Sequence, residues 1–445
     1  MKKYIIILSF FIVAFIGLFA TTKILDKHFT TAESVSGIIK DNGTSSEGSI
    51  LNSMQGHGNA HELSEESTFV DNPEGNIADQ TAISVTAKLT EEDWKIRQAA
   101  GLSNGKIALT MEESRGLYAY DNLTTEQRQL YAEILLIYRE HVTNIPLSTN
   151  RVDEVEKISS CVLLDHPEIF YSDGYSYDQY MFADNVQKIA YSPNYTLTKE
   201  QIVDRNTLID QAVESYLRGL PENATDYDKV KYIYETVILN TEYNLNATDN
   251  QNICSVFLGR ESVCLGYAKA VQYLLQKVGV EATVVTGAVI TGDAHAWNLV
   301  KVNGQYYYLD ATWGDASYLT ESGNGDALAT INYDYLCITT QDILQTHTID
   351  NPIPVPNCIV MLDNYYVKEG LYISSIDGMV MEKIFKEAEQ NGRDCISIRC
   401  SGRMVFDDFR TNMLENQQIF NYLGSNTSSL AYTVNDKLYT YTFML

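Results

Sequence analysis

The chain has 445 residues and a net charge of −26, with 45% of its residues hydrophobic and 20% charged. At about 150 residues per domain this length predicts roughly three globular domains, and the acidic excess would repel a phosphate backbone rather than release its counterions, which excludes nucleic acid as a partner. Seven cysteines with no Cys-x-x-Cys give neither the density of a disulfide scaffold nor the spacing of a zinc site.

Met1-Lys2-Lys3 precedes an apolar run from Tyr4 to Ala20, interrupted only by Ser9 and Gly17. Two cations before such a run read as an export signal. Residues 1–22 are therefore expected to be a signal peptide or signal anchor. Leu18-Phe19-Ala20 is a poor small-x-small cleavage site, which favours the uncleaved anchor. The chain is expected to be extracytoplasmic, secreted or attached to the membrane through this segment.

Residues 23–84 are rich in Ser, Gly, Asn, Thr and Glu, and eight acids with no Lys or Arg lie between Asp41 and Ala87. Too little apolar surface is available there to offset the entropy of ordering, so the segment is expected to be a disordered acidic linker.

Residues 85–222 are expected to form an auxiliary mixed helical domain. Thr124-x-x-Gln127 and Thr198-x-x-Gln201 read as capping boxes opening amphipathic helices. Between them a helix over Val152, Val155, Ile158 and Val162 stops before Pro167, and the Tyr-rich stretch from Phe170 to Tyr191 alternates as strands do. Cys161 and His166 read as packing and capping residues, because nothing beside them completes a site.

In residues 223–350, Thr225-x-x-Asp228 opens a further helix, and Ser262 to Val278 reads as another, ended by Gly279. That places Cys264 in a first helical turn, where orphan N–H groups and the positive end of the dipole favour a thiolate. The same amides can receive an oxyanion.

Glu281 to Ile290 then reads as a buried strand. His295 to Val302 and Gln305 to Thr312 flank Asn303-Gly304, a strong two-residue hairpin signal. In that register Val302 faces Gln305 and Trp297 faces Asp310, so Asp310 is the diagonal neighbour of His295 on one face. A carboxylate on one ring nitrogen fixes the tautomer and leaves the other nitrogen to take a thiol proton. Singly, each of the three residues has an ordinary structural explanation; together they define a candidate Cys264-His295-Asp310 thiol site. The reading requires that the sulfur be reachable and that the two partners project to the same side.

These residues carry a resemblance. Ser262-Val263-Cys264-Leu265-Gly266-Tyr267-Ala268, Asp293-Ala294-His295-Ala296-Trp297-Asn298 and Tyr308-Leu309-Asp310-Ala311-Thr312-Trp313 resemble the three core motifs of the transglutaminase-like superfamily. The resemblance covers about residues 225–345. It implies an α+β fold with a papain-like core, in which Cys264 is the nucleophile, His295 the general base and acid, and Asp310 the residue that orients His295. Asp165-His166-Pro167-Glu168-Ile169-Phe170-Tyr171 is similar to segments that precede this domain in secreted bacterial members.

Trp297 and Trp313 read as wall and core residues, Asp315 as a turn residue, and nothing in the spacing of Tyr243 carries it to Cys264 as an oxyanion donor. Residues 351–445 form an expected C-terminal α+β unit, with a helix through Val380, Ile384 and Ala388, a strand from Cys395 to Cys400 and a hairpin around Asn435-Asp436.

The expected reaction is attack of the Cys264 thiolate on a carboxamide or peptide carbonyl, giving a thioester. Water as acceptor makes the enzyme a peptidase or amidase, the reading favoured here, and a protein lysine makes it a cross-linking transglutaminase. A non-catalytic cell-surface binding module is the third alternative. The expected substrate is a protein or peptide, in a setting that includes the cell wall. No cofactor or metal is called for: scattered acids take the place of the calcium loops of the animal enzymes.

Overall fold

The computed structural model describes residues 23–26, 54–63, 68–74, 85–316, 331–424 and 427–445. The expected export segment, residues 1–22, lies outside these. Among the described residues no helix is long and apolar enough to cross a membrane.

The local signals form the elements they predict. Thr124, Thr198 and Thr225 each accept a bond from the backbone N–H three residues on, and the third residue's side chain returns to the threonine backbone. These boxes open the helices Thr125–Glu140, Lys199–Leu217 and Asp226–Leu239, each cap contributing about 1 kcal/mol. The helix Val152–Asp165 ends at His166, before Pro167. The Tyr-rich stretch pairs as antiparallel strands Ser172–Phe182 and Asn185–Tyr195.

The described residues fall into two compact units, one from those within 54–312 and 335–363, the other from Lys23–Asp26 and those within 313–334 and 364–445. In the first unit a four-stranded antiparallel sheet runs in the order Gln305–Leu309, Ala294–Val302, Ala282–Val289, His347–Ile349. Asn303 and Gly304 have φ of 50° and 79°, as a type I′ turn requires. Val302 pairs with Gln305, so the expected hairpin register is the observed one. The strand expected to reach Thr312 stops at Leu309, because Asp310 turns the chain by accepting the Thr312 N–H at 2.9 Å.

Packed against this sheet is the helix Cys264–Lys277, buried at every position from Cys264 to Leu275. A helix covered all round belongs at the centre of a core. Leu265, Val271, Leu274 and Leu275 are wholly buried, each contributing about 1.5–3 kcal/mol relative to exposure. The segments 85–222 and 223–312 share this unit. Gln272 on the helix donates to Leu164 O at 2.7 Å, and the helix Val152–Asp165 packs on the strand Ala282–Val289.

The expected linker is corrected at two places. Lys23–Asp26 pairs antiparallel with Ser429–Tyr432, and Gly56–Glu62 adds in parallel to Tyr175–Met181. Strand addition uses backbone donors and acceptors of a sheet edge and needs no apolar side chains, so composition does not reveal it. Gly56 and Gly58 lie so close to Tyr175 and Tyr177 that a β-carbon would meet those rings at 2.1 and 2.4 Å.

The second unit holds a five-stranded sheet in the order Lys23–Asp26, Ser429–Asn435, Thr440–Met444, Cys395–Cys400, Tyr372–Ile373. The helix Gly378–Gln390 and the hairpin after Asn435 follow the sequence reading. Asp315, expected as a turn residue, is buried and bridges to Ile331. All seven cysteines are free thiols.

Candidate active site

The Cys264 helix opens without a capping side chain: Val263 is extended at φ −112°, ψ 178° and offers no side-chain bond. The orphan N–H groups of the first turn are therefore not taken by a side-chain cap. The approach to Cys264 is held by Glu261–Ser262, which pairs in parallel with Glu242–Tyr243. Ser262 Oγ bonds Ser255 Oγ at 2.7 Å and donates to Asn250 O at 3.0 Å. Gly266 makes this knot possible, since a β-carbon there would meet Ser262 Oγ at 2.0 Å and Asn250 O at 2.8 Å.

His295 stands near the start of the strand Ala294–Val302, and Asp310 follows the strand Gln305–Leu309. His295 Nε2 and Asp310 Oδ2 are 2.7 Å apart, so the diagonal placement expected from the hairpin closes to a hydrogen bond. Cys264 acts on the same imidazole and favours its charged form.

Burial works against charge on His295, but the Asp310 carboxylate and Cys264 outweigh it and push the imidazole up to about 10. Burial would likewise raise Asp310; His295 and His347 overcome it and hold the carboxyl far below the usual range. At neutral pH this favours an imidazolium beside the Asp310 carboxylate.

The residue that sequence reasoning missed is His347. Its Nε2 lies 3.1 Å from Asp310 Oδ2, the same oxygen that binds His295. No short spacing ties it to the motifs; it arrives on the edge strand His347–Ile349, where it pairs with Val289 while Gly287 of the same strand pairs with His295. Gly287 permits this approach, because a β-carbon there would lie 1.9 Å from Thr348 O. The signal available beforehand was only a histidine in a short β-prone run.

His295, Asp310 and His347 present ligand atoms within 4.8 Å of one another. Nitrogen and oxygen ligands at 2.0–2.1 Å around a tetrahedral ion would stand about 3.3 Å apart. The 2.7 and 3.1 Å separations are hydrogen bonds, and protons account for the cluster.

Trp297 is buried as expected, its ring 6.0 Å from His295 and nearly parallel to it; Trp313 is buried as well. Tyr243 sits in register with Ser262, its ring 6.5 Å from that of Tyr267. Cys161 is wholly buried, and His166 follows the last turn of its helix with Nδ1 2.6 Å from Glu168. The projection requirement is met; the access requirement is not, since Cys264 is buried at 1% exposure and His295 at 3%.

A thiol at a helix start, facing an imidazole that is braced by a carboxylate on an antiparallel sheet, defines an α+β core of the papain-like class. Residues 214–311 match the family model described as the transglutaminase-like superfamily, and this segment is a transglutaminase-like core. No curated protein matches the chain.

Among solved structures it is similar to a transglutaminase described as "a TGase", with 16% identity, 35% of this chain and 53% of that one covered, and a TM-score of 0.24. It is similar to a candidate cysteine protease from Cytophaga hutchinsonii, at 17% identity, 31% and 62% coverage and a TM-score of 0.21. It is also similar to the periplasmic domain of TgpA from Pseudomonas aeruginosa, at 18% identity, 29% and 55% coverage and a TM-score of 0.19. The chain thus spans between half and two thirds of the length of these structures, and its activity is argued from its own residues.

Proposed function

We propose that this protein is an extracytoplasmic thiol hydrolase, a peptidase or amidase, with Cys264 as nucleophile, His295 as general base and acid, and Asp310 as the residue that orients His295. The observation that carries the reading is the 2.7 Å bond between His295 and Asp310, with Cys264 acting on the same imidazole from the head of its helix. Export is supported by Met1-Lys2-Lys3 and the apolar run after it.

The Cys264 sulfur forms a bond to the carbonyl carbon of a carboxamide, and the C=O electron pair moves onto oxygen, facing the first-turn amides. As the oxygen lone pair re-forms the carbonyl, the C–N bond breaks and the His295 proton goes to the leaving nitrogen. Water, deprotonated by His295, then attacks the thioester and releases Cys264. A lysine amine in place of water would give an isopeptide cross-link.

One observation favours a second reading: the 1% exposure of Cys264 suits a binding module that keeps the fold without turnover. The test incubates the full chain with a glutamine-containing protein and a labelled primary amine. Released ammonia or new N-termini support hydrolysis, and amine incorporation above released ammonia supports cross-linking. Absence of all three, with retention of protein or cell-wall ligands, supports the binding module.

A further inference from the structure

We propose that His347 is a positioning residue of the thiol site: a neutral imidazole that donates to Asp310 and shares its carboxylate with His295, so that the His295 proton remains transferable. This rests on the thiol-enzyme reading and adds a fourth residue to it.

The carboxylate fixes the direction of the bond to Asp310: an ionised carboxylate only accepts, so the His347 Nε2 that meets Oδ2 at 3.1 Å carries the proton. Thr346 Oγ is 2.8 Å from His347 Nδ1, and the Tyr335 hydroxyl is 3.3 Å from Thr346 Oγ. In the neutral ring Nδ1 then accepts from the Thr346 hydroxyl, whose competing acceptor is Ile343 O at 3.4 Å. Asp310 Oδ1 is meanwhile held by the Thr312 N–H. The carboxylate is thereby clamped at both oxygens, and Oδ2 is divided between two rings.

Two imidazolium ions on one buried carboxylate would repel. The groups facing His347 are Asp310 beyond the hairpin strand, His295 on its strand, and the Tyr335 hydroxyl through Thr346, with Cys264 beyond His295. Trp297 closes the remaining side, its ring 5.0 Å from that of His347. Burial, with the His295 charge adding to it, lowers His347 against the pull of Asp310, so the positive charge stays on His295.

A carboxylate serving His295 alone would make it a stronger base and a poorer proton donor to the leaving amine. The N–H of His347 withdraws part of that charge. His347 acts through Asp310, whose Oδ2 its Nε2 meets at 3.1 Å.

The experiment uses the full chain with casein as glutamine-containing probe, and ¹⁵N-histidine spectra of the unaltered protein. His347→Leu removes the donor and is expected to lower kcat about tenfold at a nearly constant KM, and to move the alkaline limb of kcat/KM up by about half a pH unit. His347→Gln restores an N–H without a charge and should recover most of both. The spectra should show His347 as the neutral Nε2–H tautomer from pH 5 to 9 while His295 is charged.

Unchanged kcat and limb in His347→Leu, equal losses in both variants, or a His347 that takes the proton before His295 would each overturn the proposal. The spectra decide it even where the leucine variant does not fold. Turnover that survives Cys264→Ala would instead end the thiol reading, an outcome distinct from any of these.

Discussion

His295 Nε2 and Asp310 Oδ2 meet at 2.7 Å across a hairpin whose turn is the two residues Asn303 and Gly304. Base and orienter are therefore spaced by the pleat of one sheet, a rigid mount for groups that must hold a proton along a fixed line. The Cys264 sulfur comes to the same imidazole from a separate element, the head of a buried helix.

The thiol reading predicts that Cys264→Ala lowers turnover by at least about 10³-fold while the thermal midpoint stays near that of the unaltered protein. Circular dichroism melting and ammonia release check both halves. In the unaltered chain, iodoacetamide should modify Cys264 faster than the other six thiols, as peptide mass spectrometry would read. A Cys264 no faster than they are would return the site to the binding-module reading, which its 1% exposure favours.

Asp310→Asn should lower kcat by about 10³–10⁴-fold, because an amide can hold the imidazole in the wrong tautomer and cannot balance its charge. The pair also makes stability depend on pH. His295 is raised from 6.5 to about 10 in the folded chain, so its contribution is whole below about 6.5 and is lost as pH climbs through 10. Urea midpoints should fall between pH 7 and 10 more steeply in the unaltered protein than in Asp310→Asn; parallel curves would disprove the linkage.

Gly266→Ala should destabilise the first unit by about 1–3 kcal/mol, the usual cost of forcing carbon into a packed space. The clash includes the Asn250 backbone oxygen as well as Ser262 Oγ, so a rotamer change alone does not relieve it. Denaturant midpoints measure the loss. Displacement of the Ser262–Cys264 approach should also slow alkylation of Cys264.

Arg97 and Glu133 form a bidentate pair at 3.1 and 3.0 Å, both side chains essentially inaccessible. Glu133→Leu should cost about 3–5 kcal/mol by leaving a buried guanidinium unpaired. The double variant Arg97→Met with Glu133→Leu should recover most of that, and a double as unstable as the single would place the cost in packing. Burial disfavours charge on Glu133, yet Arg97 and Ser148 hold its carboxyl below 4.5. The pair's contribution is therefore present above that value and lost as pH falls through the lowered one.

Much of the site was legible in local pattern. The first-turn position of Cys264 follows from a helical stretch stopped by Gly279, and the meeting of His295 with Asp310 follows from the turn chemistry of Asn303-Gly304 and the two-residue period of a strand. Each depends on residues within about twenty positions of one another. The strand end at Leu309 was missed because Asp310 bonds its own chain two residues on, a choice that propensity does not rank.

The amino-acid order by itself determined the helices opened by Thr124, Thr198 and Thr225, the Cys264 helix, the hairpin register and the three motif residues, because capping, turn geometry and alternation act over a few neighbouring residues. Only the tertiary structure decided that His347 joins Asp310, that Gly56–Glu62 becomes a strand, and how deeply Cys264 is covered. Those outcomes depend on sheet-edge pairing and close packing between distant segments, where backbone hydrogen bonds and excluded volume choose the partner and leave no periodic trace in either segment.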